Sequence, residues 1–210
     1  MNSQITLVAP STPTHASVTL EFERDVMTST TITVRGNSTP CYSVDSARAG
    51  TFKPNLKTVI REGDRVLASV ERRDMLPDQL SLHGSPPMAL SKWLKSPITS
   101  SFPITFEESG RKYLWRRDSG GKLQLYMENA NSDAIAWFHP SRLTFGADGG
   151  NRVLHPASLS LTPEADIMRE TVLISCILVL QKMRAKERTG ETAGLLTTQG
   201  LTYGILTASY

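Results

Sequence analysis

Hydrophobic and polar residues alternate with a period of two over most of this chain. In 17–23, Val18, Leu20 and Phe22 alternate with Thr19, Glu21 and Glu23, and in 30–35 Ile32 and Val34 alternate with Thr31, Thr33 and Arg35. A period of two places every second side chain on one face, so each run predicts a strand with one wet face and one buried face. Comparable runs are CYSVDS, LKTVIRE, RVLASVERR, QLSLHG, ITFEES, RKYLWRRD, LQLYMEN, AIAWFHP, RLTFG and ASLSLT, which makes about a dozen strands between residues 17 and 162. Turn residues separate them at Glu62-Gly63-Asp64, Ser109-Gly110, Asp118-Ser119-Gly120-Gly121 and Asp148-Gly149-Gly150. Short strands joined by such turns predict a meandering antiparallel sheet, most simply a barrel or sandwich. Residues 84–103, rich in Pro and Ser, break the rhythm and predict a long excursion with one helical turn.

The pattern changes at residue 162. Thr162 is a helix-capping residue, Pro163 suits the first helical position, and Glu164 and Asp166 favour the positive end of the helix dipole. Lys182, Arg184, Lys186 and Arg188 precede Gly190 and predict the negative end, giving a helix over 163–188. Between them, 172–180 is interrupted only by Ser175 and Cys176, so apolar side chains point in every direction around the axis. The run is about half the roughly 20 apolar residues that a membrane span needs. A helix apolar all round must be surrounded. With strands supplying nearly everything else, the prediction is a mainly β fold: an antiparallel barrel of about twelve strands wrapped around a central hydrophobic C-terminal helix. The domain spans 17–188, after a flexible segment over 1–16 and before a weakly ordered tail over 189–210. Ser175 then needs a partner inside the core, which the carbonyl one turn back supplies.

The length of 210 residues and 39% hydrophobic content suit one domain with a substantial core. A formal charge of +3 falls far short of the dense basic stripe of a dedicated nucleic-acid binder, and no nucleic acid is expected. Cys41 and Cys176 form neither a disulfide framework nor a metal motif and read as two buried thiols. The N-terminal residues lack a signal-peptide pattern, which predicts a cytoplasmic protein, peripheral to membranes if it binds them.

Four segments together resemble a domain family of unknown function widespread in basidiomycete fungi. They are an aromatic-x-Trp-basic strand at Tyr113, Trp115 and Arg116; a strand at Leu123, Leu125 and Tyr126; a strand at Ala136, Phe138 and His139; and the apolar helix with its basic end, 167–188. The resemblance covers roughly residues 25–188. That family is similar to the tubby C-terminal and phospholipid scramblase-like barrels, which implies strands wrapped around a central helix, in agreement with the hydrophobic pattern. These motifs are structural and imply no catalytic residues.

No nucleotide-binding or hydrolase motif is present, and His15, His83, His139 and His155 are widely spaced, two of them before prolines. No catalytic, metal or cofactor residues are assigned and no cofactor is expected. What remains is basic residues beside apolar or aromatic ones: Arg72 and Arg73 near Met75 and Leu76; Lys92, Trp93 and Lys95; and Lys112 with Arg116 and Arg117. These are the candidate contacts for an anionic lipid surface, with 91–96 expected as an exposed amphipathic loop whose Trp93 anchors in the headgroup layer. The expected function is a non-enzymatic binding module for such a surface or for a protein partner. The alternatives are an enzyme or small-ligand carrier with a pocket at the barrel mouth, and a self-assembling structural protein.

Overall fold

The computed structural model describes residues 5–7, 16–49, 55–97, 101–118, 120–128, 133–145 and 152–205. Its strands are β1 (Ile5–Leu7), β2 (Val18–Phe22), β3 (Ser29–Val34), β4 (Pro40–Ala49), β5 (Asn55–Glu62), β6 (Arg65–Arg72), β7 (Gln79–Leu82) and β8 (Met88–Ala89). After the short helix α1 (Leu90–Trp93) come β9 (Ile104–Glu108), β10 (Arg111–Arg117), β11 (Leu123–Met127), β12 (Ala136–His139), β13 (Arg142–Phe145), β14 (Arg152–His155) and β15 (Ser158–Leu161). Two helices follow, α2 (Pro163–Ile167) and α3 (Arg169–Ile205).

Twelve strands form one antiparallel sheet in the order β8-β7-β6-β5-β4-β3-β2-β15-β12-β11-β10-β9. The meander from β2 to β8 and the meander from β9 to β12 are therefore joined through β15. A smaller sheet, β1-β14-β13, contains a parallel pair in which Ile5 faces Arg152. Part of the segment expected to be flexible is thus a paired strand, and the rest of 1–15 lies outside the described residues. The Asp148-Gly149-Gly150 turn also lies outside them.

The large sheet is not closed into a continuous ladder. Its edges are β8 and β9, and α1 stands in the connection between them. That connection reaches β9 through one bridge, Lys95 with Thr105, whose two backbone hydrogen bonds are both 2.8 Å.

The hairpins show why the sequence folds this way. Ser109 and Gly110, at φ 49° and 74°, form the two-residue link from β9 to β10, a conformation that favours glycine at the second position and matches the strand twist. On several strands the buried residues follow the period-two pattern, as with Leu123 and Leu125 on β11 or Ile104 and Phe106 on β9, whereas β15 is buried on both faces.

Helix α3 lies in the core. Every residue from Val172 to Leu180 is buried, Ser175 included. Its partners come from widely separated strands. Glu170 binds Arg65 of β6 at 2.5 Å, Thr171 donates to Glu108 of β9 at 3.1 Å, and the Trp115 indole of β10 donates to Ser175 at 3.0 Å. Gln181 then donates to the Met27 carbonyl in the β2–β3 turn at 2.7 Å. The sheet therefore meets the helix on several sides, which removes the apolar all-round face from water.

The helix differs from the sequence expectation at both ends. Thr162 caps it as expected, accepting from the Ala165 N–H at 3.3 Å. It then breaks at Met168, whose φ of −114° and ψ of 36° are not helical. The break leaves Ile167 90% exposed while Met168 packs against the core. At the other end α3 continues past Arg188 and Gly190 to Ile205, so Gly190 does not stop it. A glycine inside a helix costs about 1 kcal/mol, which the flanking turns can absorb.

Candidate functional site

Because α3 runs through the fold, the molecule has two ends. At the proximal end the helix begins, close to Glu62, Glu108 and Arg111; at the distal end it leaves beside the β2–β3 turn and the beginning of β5.

The proximal end holds a cleft of about 670 Å³ between Tyr42, His83, Glu108, Arg111, Glu164 and Arg169. Its charges are largely tied together. Arg65 binds both Glu62 and Glu170, Arg169 holds Asp166 at 2.6 Å, and Arg111 faces Glu164 at 3.7 Å. The guanidinium of Arg169 is held firmly charged by its hydrogen bond to Asp166 and by Tyr42. Glu164, Asp166 and Glu170 sit in the first turns of α2 and α3, where the helix dipole favours negative charge. Those three carboxylates follow from helix chemistry, while Glu62 and Glu108 are supplied by β5 and β9.

At the distal end the charge has no such explanation. Lys182, Arg184 and Lys186 lie many residues before the end of α3, too far for its C-terminal dipole to act on them. Arg184 is bound to Asp25, through both its carboxylate and its carbonyl, and Arg72 binds Asp78 at 2.5 Å. Lys182 and Lys186 instead donate to hydroxyls, Ser96 at 2.6 Å and Ser101 at 2.8 Å. Arg117 donates to the Gly121 carbonyl at 3.1 Å. Among the described residues, none of these three cations has a carboxylate partner in an ion pair. Partial burial, then the neighbouring Arg72 and Lys186, push the Lys182 ammonium below its ordinary value.

Two clefts open beside these cations. One, of about 420 Å³, has Arg117, Lys182 and Lys186 around the apolar walls of Phe102, Ile104 and Met183. The other, of about 670 Å³, has Val26, Met27 and Leu56 facing Arg72 and Lys182. Lys182 and Glu187 line both.

The residues singled out from sequence are scattered over this surface. Arg72 and Arg117 reach the distal end. Arg73 is occupied by Glu71 and Gln79, Lys95 by Glu107 at 3.0 Å, and Lys112 by Glu128 at 2.6 Å. Arg116 lies over the Tyr126 ring, 5.4 Å from its centroid, and Lys92 is exposed on α1. Trp93 is not a free anchor. Its ring stacks on Phe106 with centroids 5.8 Å apart, because buried Leu90 and Leu94 turn the apolar side of α1 inward. The sequence reading missed Lys182 and Lys186 as site residues by assigning them to the helix terminus.

Cys176 is fully buried and its thiol is pushed far up by desolvation, while the Cys41 thiol donates to the Ile32 carbonyl at 3.3 Å and is also raised by burial. Among the described residues no group of three or more His, Cys, Asp or Glu side chains is placed to hold a metal ion. No helix among them is long and apolar enough to cross a membrane.

The family described as Family of unknown function (DUF6593) matches residues 25–185. The chain belongs to this family. The matched span of DUF6593 starts at Asp25, which binds Arg184, and ends one residue past that partner. It therefore takes in β3 to β15, α1, α2 and the buried part of α3, and the distal ion pair lies at its two limits. Comparison with the curated proteins and with the solved structures finds no match.

Proposed function

We propose that this DUF6593 domain is a non-enzymatic binding module that docks its distal end on an anionic lipid surface. The observation that carries the reading is the group of three cations, Arg117, Lys182 and Lys186, gathered around one cleft without carboxylate partners among the described residues. Cations crowded in this way are stabilised by an anion, and phosphate oxygens meet both Arg and Lys geometry. Each Lys or Arg near an anionic bilayer contributes about 1 kcal/mol of attraction, so three give useful but salt-sensitive binding. The finer architecture in this reading is a barrel-like wrap of the sheet around α3, as the resemblance to tubby-like barrels implies. It is supported by the burial of 172–180 on all sides.

Vesicle co-sedimentation of the full chain tests the proposal. Binding to vesicles containing phosphatidylserine, absent with phosphatidylcholine alone and declining as salt rises, is the expected result. Equal binding to both vesicle types, or none to either at low ionic strength, rejects it.

A further inference from the structure

The larger distal cleft has features that charge attraction to a surface does not require. Val26 and Leu56 are 46% and 36% exposed, yet both line this concave space together with buried Met27. The cleft volume of about 670 Å³ lies within the roughly 300–1,000 Å³ typical of small-molecule sites. Of its charged residues, Arg72 is paired with Asp78 and Arg184 with Asp25. That leaves Lys182 and Glu187 at the boundary with the smaller cleft, where Lys186 and Arg117 add two further cations. An apolar groove thus runs up to a mainly cationic group through two shared residues, Lys182 and Glu187.

We infer that the two distal clefts together receive one anionic lipid, with its head group among Arg117, Lys182 and Lys186 and an aliphatic chain along Val26, Met27 and Leu56. The inference rests on the docking reading above and adds to it a seat for a single chain. Charge complementarity selects the head. Three cations stand in the smaller cleft against the single carboxylate of Glu187, so a neutral lipid leaves net positive charge unanswered and a cationic head is repelled. The exposed Val26 and Leu56 select the chain, because covering them removes apolar surface from water. Gln181, tied to the Met27 carbonyl at 2.7 Å, holds the floor of the groove against α3.

The test is calorimetric titration of the full chain with three soluble probes below their micelle concentrations: dodecyl phosphate, inorganic phosphate and dodecyl maltoside. Dodecyl phosphate should bind saturably and at least about tenfold more tightly than either of the others, since inorganic phosphate lacks the chain and dodecyl maltoside lacks the anionic head. Val26→Asn and Leu56→Gln, uncharged changes at positions exposed enough to leave the fold intact, should each remove that advantage without changing the weak response to inorganic phosphate. Unchanged melting temperatures verify that the variants are folded. Equal affinity for dodecyl phosphate and inorganic phosphate overturns the chain seat, as does wild-type affinity in both variants. Equal affinity for dodecyl maltoside overturns the cationic head site. If no probe binds while anionic vesicles still do, the inference fails and surface docking stands; if vesicles fail as well, both fall.

Discussion

The indole N–H of Trp115 donates to the hydroxyl of Ser175 at 3.0 Å, and that hydroxyl donates in turn to the Val172 carbonyl at 3.0 Å. Trp115 and Ser175 are both fully buried. The pair fixes the rotation and depth of α3 relative to β10, because a buried indole N–H has few other acceptors within reach. The helix carbonyl alone would satisfy Ser175, so its second bond is what joins helix to sheet.

Ser175→Ala should therefore destabilise the domain by about 1–3 kcal/mol, mostly through the stranded indole N–H. Trp115→Phe in the Ser175→Ala background should cost less than it does alone, giving a coupling of about 0.5–3 kcal/mol in a double-mutant cycle. Urea denaturation of the four proteins measures it. Additive effects would show that the bond does not couple helix and sheet.

Leu178→Asp should abolish cooperative folding. An unpaired carboxylate at this fully buried position costs several kcal/mol against a total stability of about 5–15 kcal/mol. A soluble mutant with a sharp melting transition would contradict the enclosure of α3.

Stability should decline on acidification through His139. Burial, then Lys122, Arg142 and Arg35, hold this imidazole below its ordinary value of 6.5, and its Nε2 is buried without a partner among the described residues. The unfolded chain then binds a proton more readily than the folded one. The contribution is intact above pH 6.5 and is lost as the pH falls from there through the lowered folded value. Melting temperatures between pH 7.5 and 5 should decrease, and His139→Gln should flatten that part of the profile. An unchanged profile in the mutant would remove His139 from the account.

Removing 191–210 should leave a folded domain, since the described core residues of α3 end at Leu180 and its described distal contacts end at Lys186. Circular dichroism melting of the truncated chain checks this. Loss of the transition would place residues beyond 190 in the core or in an obligate interface.

Much of the fold was legible because one wet face leaves a period-two signal. Each of the runs read as strands from 17 to 162 overlaps an observed strand. Those missed are β1, β8 and β14; β1 and β8, with three and two residues, are too short to show alternation. Thr162 and Pro163 marked the helix start through local capping chemistry. The break at Met168 was not legible, because it depends on which side chain the core accepts. The helix end was misplaced at Gly190, where a local stop signal was overridden. That error concealed the site: once α3 continues, Lys182 and Lys186 cease to be terminal charges. Arg72 and Arg117 were legible as basic residues, but their convergence on α3 depends on long-range strand order. Trp93 looked like an anchor because its lysine neighbours are exposed, whereas its own position is set by Phe106, thirteen residues away.

The most direct test of the central claim sets the distal cations against the loop cations in one vesicle-flotation experiment. Lys182→Glu with Lys186→Glu should remove binding to anionic vesicles while leaving the melting temperature nearly unchanged, since both lysines end in solvent-side hydroxyl contacts. Lys92→Glu with Lys95→Glu should leave most binding in place. Full binding by the distal variant, or loss of binding only in the loop variant, would contradict docking through the distal end.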